Sequence, residues 1–113
     1  MLFRSIQEVA WYSPAAQAWL PAQRMTTNYF LDRSPKLAGR TSDNVLLTWV
    51  SNPANDTDGS PSAPNQIWSA QWNGTQWGSP QLVATVPNAL VKYDLLYDGT
   101  NANLVLRSEG AHV

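Results

Sequence analysis

Every apolar run in this chain is short, and each is closed by turn formers before it can continue. Strand-like segments fall at 7–12 (QEVAWY), 18–25, 35–39, 44–51 (NVLLTWVS), 65–72 (NQIWSAQW), 77–84, 90–97 (LVKYDLLY) and 103–108 (NLVLRS), with Pro, Gly, Asn, Asp and Ser between them. The most helix-like stretch, SPAAQAWLPAQRM, contains both Pro14 and Pro21. A proline inside a helix removes a hydrogen bond and costs roughly 3 kcal/mol, so no helix is expected there. The eight segments predict an all-β chain. Its eight prolines and six glycines supply the turns, and Val, Leu, Trp and Tyr supply residues that suit a pleated surface.

With 113 residues the chain has the size of one small domain. A net charge of −1 with 13% charged residues leaves no basic footprint, so nucleic acid is not an expected partner. Cysteine is absent, which excludes disulfides and thiolate-bound metals. No segment is apolar enough for a membrane-spanning helix, and MLFRSIQEVA is too short and too polar for a signal peptide, so a signal for export would lie outside this sequence.

Two stretches echo one another. Placing EVAWYSPAAQAWLPAQRMT over IWSAQWNGTQWGSPQLVAT aligns Tyr12 with Trp72 and Trp19 with Trp77, given a shorter turn in the second stretch. Placing PKLAGRTSDNVLLTWVS over YDLLYDGTNANLVLRSE aligns Leu37 with Leu95, Asn44 with Asn103 and Val45 with Leu104. The repeat length is about 58 residues, at the long end for propeller-like units. Read in this phase, 35–84 is a four-stranded antiparallel meander, the plan of a propeller blade. Residues 7–25 supply only a third and a fourth strand before it, and 90–108 only a first and a second strand after it. A half-blade, a blade and a half-blade leave unpaired edges. Further blades of a longer protein, other copies of the chain, or pairing of the two halves within one chain would complete them.

The pattern LLTWVSN, an Asn/Asp/Pro/Ser loop, then IWSAQWNGTQWGSPQLVAT resembles the blade repeats of large secreted or surface β-propeller proteins of bacteria, across roughly residues 7–109. That resemblance implies an extracellular or cell-surface binding or structural module. The W-N-G-x-x-W element is also similar to hairpins of fucose-binding propeller lectins. It implies a glycan site in which Trp68, Trp72, Asn73 and Trp77 take part, although the Arg and Glu that hold sugar in that family are missing from these two strands. A third likeness is to the Asp-box hairpin of sialidases, which Gly74 and Trp77 fit, while Trp72 and Ala70 stand where Asp and Ser belong. It implies a fragment of a sialidase- or glycosidase-type enzyme.

The residues themselves carry two readings of the tryptophans. Alternation puts Trp68, Ala70 and Trp72 on one face of their strand, where they serve as packing between sheets or, at a rim, as a platform for sugar rings. Asn73-Gly74 predicts a type I′ or bulged hairpin turn with positive φ at both residues. The fourteen-residue connection Asn52 to Asn65 is the longest. It offers Asn55, Asp56 and Asp58 as alternating oxygen ligands before Gly59, a partial calcium loop with no acid at Ala54 and no following Glu; the alternative is a solvated loop. Asp32, Asp43, Asp94 and Asp98 lie near inner strands, where a glycosidase would hold paired carboxylates. No nucleophile or acid–base constellation emerges, so no catalytic residue is assigned, and His112 falls in the terminal EGAHV.

Overall fold

The computed structural model describes residues 8–9, 12–13, 17–19, 23–24, 31–55, 59–87 and 89–109. The described residues form strands and turns without a helix: β1 (Glu8–Val9), β2 (Tyr12–Ser13), β3 (Ala18–Trp19), β4 (Gln23–Arg24), β5 (Leu31–Thr41), β6 (Asn44–Asn52), β7 (Asn65–Trp72), β8 (Gln81–Val86), β9 (Ala89–Tyr97) and β10 (Ala102–Glu109). The chain is all-β, as its punctuation predicts.

β5 to β8 form a four-stranded antiparallel sheet in chain order, over the span expected for the central meander. Its first strand begins earlier than predicted, because Pro35 does not end it. The ladder shifts register between Arg33 and Lys36, with Ser34 at φ 54, and resumes past the residue that has no N–H to donate. The fourth strand begins later than predicted, at Gln81. Trp77 pairs with Trp72 only as an isolated bridge, and Pro80 cannot donate to the ladder.

β9 and β10 make a separate antiparallel hairpin, with Leu95 opposite Leu104. Residues 8–24 contribute two further antiparallel pairs, β1 with β4 and β2 with β3. Among the described residues β10 pairs with β9 alone, and β1 to β4 pair only with one another.

The pairs of 8–24 follow the order of the β7–β8 hairpin. Glu8↔Arg24, Val9↔Gln23 and Tyr12↔Trp19 stand in the order of Trp68↔Leu82, Ser69↔Gln81 and Trp72↔Trp77. In sequence, six residues separate Tyr12 from Trp19, where four separate Trp72 from Trp77.

Alternation along β6 and β7 feeds two apolar clusters. Val45, Leu47, Trp49, Ala70, Trp72 and Trp77 form one, with Trp68 packed against it. Val50, Ile67, Val86, Leu90 and Tyr93 form the other, with Leu104 at its border. Each fully buried side chain of this size contributes roughly 1.5–3 kcal/mol, so β6, buried on both faces from Leu47 to Asn52, is the centre of the core.

The second cluster docks the β9–β10 hairpin on the sheet. β9 leaves the end of β8 and crosses to the far edge, where Arg33 Nη2 donates to the Leu90 carbonyl at 3.4 Å and Tyr93 Oη donates to the Ser34 carbonyl at 2.5 Å. Gly99 then lies against Arg40. Residues 33, 34 and 40 thus meet 90, 93 and 99 in ascending order. β9 runs in the same direction as β5.

Candidate binding cleft and the predicted tryptophan site

The hairpin and the sheet touch at two polar junctions, and a cleft opens between them. At the first junction Tyr93 Oη lies 3.1 Å from Thr48 Oγ1 as well as on the Ser34 carbonyl. A phenol has one proton, and a carbonyl can only accept, so Tyr93 donates to Ser34 and the Thr48 hydroxyl donates to Tyr93. Burial pushes the Tyr93 phenol above its ordinary value of 10.0, an effect that the Thr48 bond and the Arg33 charge offset in part. The Lys36 ammonium sits 5.9 Å from the ring centre.

At the second junction Asn44 is the hub. Its Nδ2 donates to the Gly99 carbonyl at 2.9 Å, and its Oδ1 accepts from Tyr97 Oη at 2.5 Å and from Gln71 Nε2 at 3.1 Å. The β9–β10 turn that delivers Gly99 is built by Asp98. Its Oδ1 accepts from the amides of Thr100 and Asn101, and Gly99 takes φ 98. Those bonds, to Asn101 first and then to Thr100, hold the exposed Asp98 carboxyl below its ordinary value of 3.8.

Between the junctions lies a cavity of about 480 Å³. Leu46, Ser69, Gln71 and Val83 form its sheet side, and Leu95, Tyr97 and Leu104 form its hairpin side. Ser69 and Gln71 bring hydroxyl and amide groups to a mainly apolar wall. The cavity has the size and lining of a small-molecule site, or of a seat for further strands.

The predicted tryptophan site lies on the opposite face of the sheet. Trp72 is 6% and Trp77 9% exposed. Their rings are tilted at 54° with centroids 5.5 Å apart, and Trp72 Nε1 donates to the Ser42 carbonyl at 3.2 Å. Trp68 is half-buried, with its Nε1 on Gln66 Oε1 at 3.1 Å. A sugar platform needs an open indole face, which Trp68 retains in part.

Asn73 is exposed and adopts another geometry than the predicted one. Only Gly74 has positive φ, at 101, because the loop is the four-residue turn Asn73 to Gln76 rather than a two-residue one. Asn73 Oδ1 accepts from the amides of Thr75 and Gln76, both at 2.9 Å. This is the arrangement of Asp98-Gly99-Thr100-Asn101.

Asn55 is exposed at φ 60, and Asp56 and Asp58 lie outside the described residues. Among the described residues no cluster of three or more His, Asp or Glu side chains forms a metal site. The described loop residues Pro53, Ala54, Asn55, Pro61 and Ser62 are exposed, and the loop's foot is buried: Asn52 Nδ2 donates to Asn65 Oδ1 at 3.2 Å and to the Ala63 carbonyl at 3.0 Å.

The candidate carboxylates are spread apart. Asp32 is buried opposite Ser51, at the other end of the sheet from Asp43, which accepts from Thr41 Oγ1 in the β5–β6 turn. Asp94 is exposed on β9, and Asp98 is spent on its turn. His112 lies outside the described residues.

Of the cleft residues, Leu95 and Leu104 stand out in the sequence only as repeat positions, while Leu46, Ser69, Gln71 and Tyr97 carry no motif; in LVKYDLLY, alternation sets Tyr93, Leu95 and Tyr97 on one face.

Comparison of the chain with protein-family models, with curated proteins and with solved structures returns no match.

Proposed function

We propose that the chain is a non-enzymatic binding or structural module of β-propeller type, one unit of a larger extracellular or cell-surface bacterial protein. The observation that carries this reading is the path of β9. It leaves the outer strand of one antiparallel sheet, crosses that sheet, and runs beside its first strand in the same direction. A propeller chain passes from the outer strand of one blade to the inner strand of the next in this way.

Two further features support it. The 8–24 hairpin repeats the pair order of the β7–β8 hairpin. The outward face of β9–β10 leaves Leu96 and Val105 almost three-fifths exposed, as suits a face that another sheet covers.

The test is the coding sequence on either side of these residues. Further units of about 58 residues with the W-N-G-x-x-W or Y/W-pair signature are expected, and flanks of unrelated composition would refute the reading. A carbohydrate-binding module is the second reading, favoured by the half-buried Trp68 and the polar groups of the cleft. On a glycan array it predicts binding that is abolished, without loss of the thermal transition, by Trp68→Ala where the tryptophan face is the site and by Gln71→Ala where the cleft is. A chain silent on the array would dismiss it.

A further inference from the structure

The cleft has an apolar wall, a strand edge beside it, and a segment of the same chain that carries the matching pattern. Among the described residues β10 pairs on one side only, over Ala102–Glu109. Beside that edge the sheet face presents Leu46, Ser69, Gln71 and Val83, the last 48% exposed, and Leu106 of β10 is 40% exposed. On the neighbouring sheet the corresponding place, along β6, is filled by the β7–β8 hairpin. The described residues of 8–24 pair in the order of that hairpin, and their strands β1 to β4 pair with neither large sheet.

We infer that the β10 edge and the cleft beside it seat the 8–24 hairpin of a second copy of this chain, completing a four-stranded sheet between two molecules. The inference rests on the blade-like part of the reading above, with a second copy in place of further units of a longer protein. The register follows from the existing sheet, where Val45 faces Trp72 and Thr48 faces Ser69. Leu104 aligns with Val45 in sequence, and Tyr12 and Val9 stand where Trp72 and Ser69 stand in the pair order. The same register therefore sets Tyr12 opposite Leu104 and Val9 opposite Arg107. Because the donor edge and the receiving edge are different surfaces, the contact is head-to-tail, and it builds a ring or a chain of copies rather than a two-fold dimer.

The full chain holds no cysteine, which makes single-cysteine variants clean probes. Light scattering of the purified chain at tens of micromolar is expected to give a mass of two or more copies. Val83→Glu, at a residue exposed enough to accept a charge in the single molecule, is expected to return it to a monomer with its thermal transition kept. A mixture of Val9→Cys and Arg107→Cys chains is expected to cross-link with a short thiol-reactive linker, while Val9→Cys alone gives no dimer. A monomer at every concentration overturns the inference, and so does association that survives Val83→Glu and yields no mixed product. The blade-like reading fails separately, if an experimental structure of the chain shows β9 detached from β5.

Discussion

Tyr93 ties three strands together, and its removal tests whether the β9–β10 hairpin is truly docked on the sheet. Tyr93→Phe keeps the ring in the second apolar cluster and deletes only the hydroxyl. Two bonds go with it, one from Thr48 Oγ1 at 3.1 Å and one to the Ser34 carbonyl at 2.5 Å. Ser34 is exposed and water can replace that partner, so its loss costs about 0.5–1 kcal/mol. Thr48 is 1% exposed, and a stranded buried hydroxyl costs about 1–2 kcal/mol more. The sum is about 2 kcal/mol, or roughly 10 °C of Tm for a domain near 100 residues, read by calorimetry or circular dichroism. Thr48→Val in the Tyr93→Phe background removes the stranded hydroxyl, so the two changes together are expected to cost about 1 kcal/mol less than their sum. The alkaline limb adds a second readout. The raised phenol value of Tyr93 adds stability that is complete below the ordinary tyrosine range and is lost as pH rises through the folded value; Tyr93→Phe abolishes that contribution. A Tm change under about 2 °C, or strict additivity with Thr48→Val, would refute the docking described here.

The two four-residue turns predict graded costs. Gly74→Ala and Gly99→Ala both force a side chain into positive φ, at about 1–2 kcal/mol each. Gly74→Ala is expected to cost more, since its Cβ would meet Asp43 Cβ at 2.7 Å, close to backbone, whereas Gly99 meets Arg40 Cγ at 2.9 Å; chemical denaturation ranks them. Asp98 is expected to titrate below 3.8 by NMR, so its share of stability is present above the ordinary aspartate value and is lost as pH falls through the folded one. Asp98→Asn keeps the turn, as Asn73 does, and removes that acid dependence. Asn52→Ala removes one hydrogen bond each from Asn65 Oδ1, the Ala63 carbonyl, which keeps the Ser60 amide, and the Ala54 amide; a loss of about 1–3 kcal/mol is expected, with faster amide exchange at Ala54.

Strands were legible where one residue pattern settles one local choice. NQIWSAQW is bounded by turn formers and occupies β7 end to end, and NVLLTWVS gains a single residue in β6. Pro35 misled, because a proline at a bulge interrupts a ladder without ending its strand. Asn-Gly misled in a subtler way. The pair permits two positive φ values, but the loop length depends on which residues pair across it, and Trp72 with Trp77 leaves four residues to span. Within four residues the asparagine does better as an acceptor for two amides than as a left-handed corner, and Asp98-Gly99-Thr100-Asn101 makes the same choice. The cleft was hidden for a different reason. Gln71, Ser69 and Val83 look like an ordinary solvent face when their strands are read singly, and become a wall only because β9–β10 lies opposite them. The tryptophans drew attention as chemistry, yet Trp72 directs its N–H to the Ser42 carbonyl and its ring to Trp77. Burial of that kind makes the aromatic pair a means of holding two strands in register. A second hairpin of the same design needs aromatic residues at the matching places, and the register there sets Tyr12 opposite Trp19.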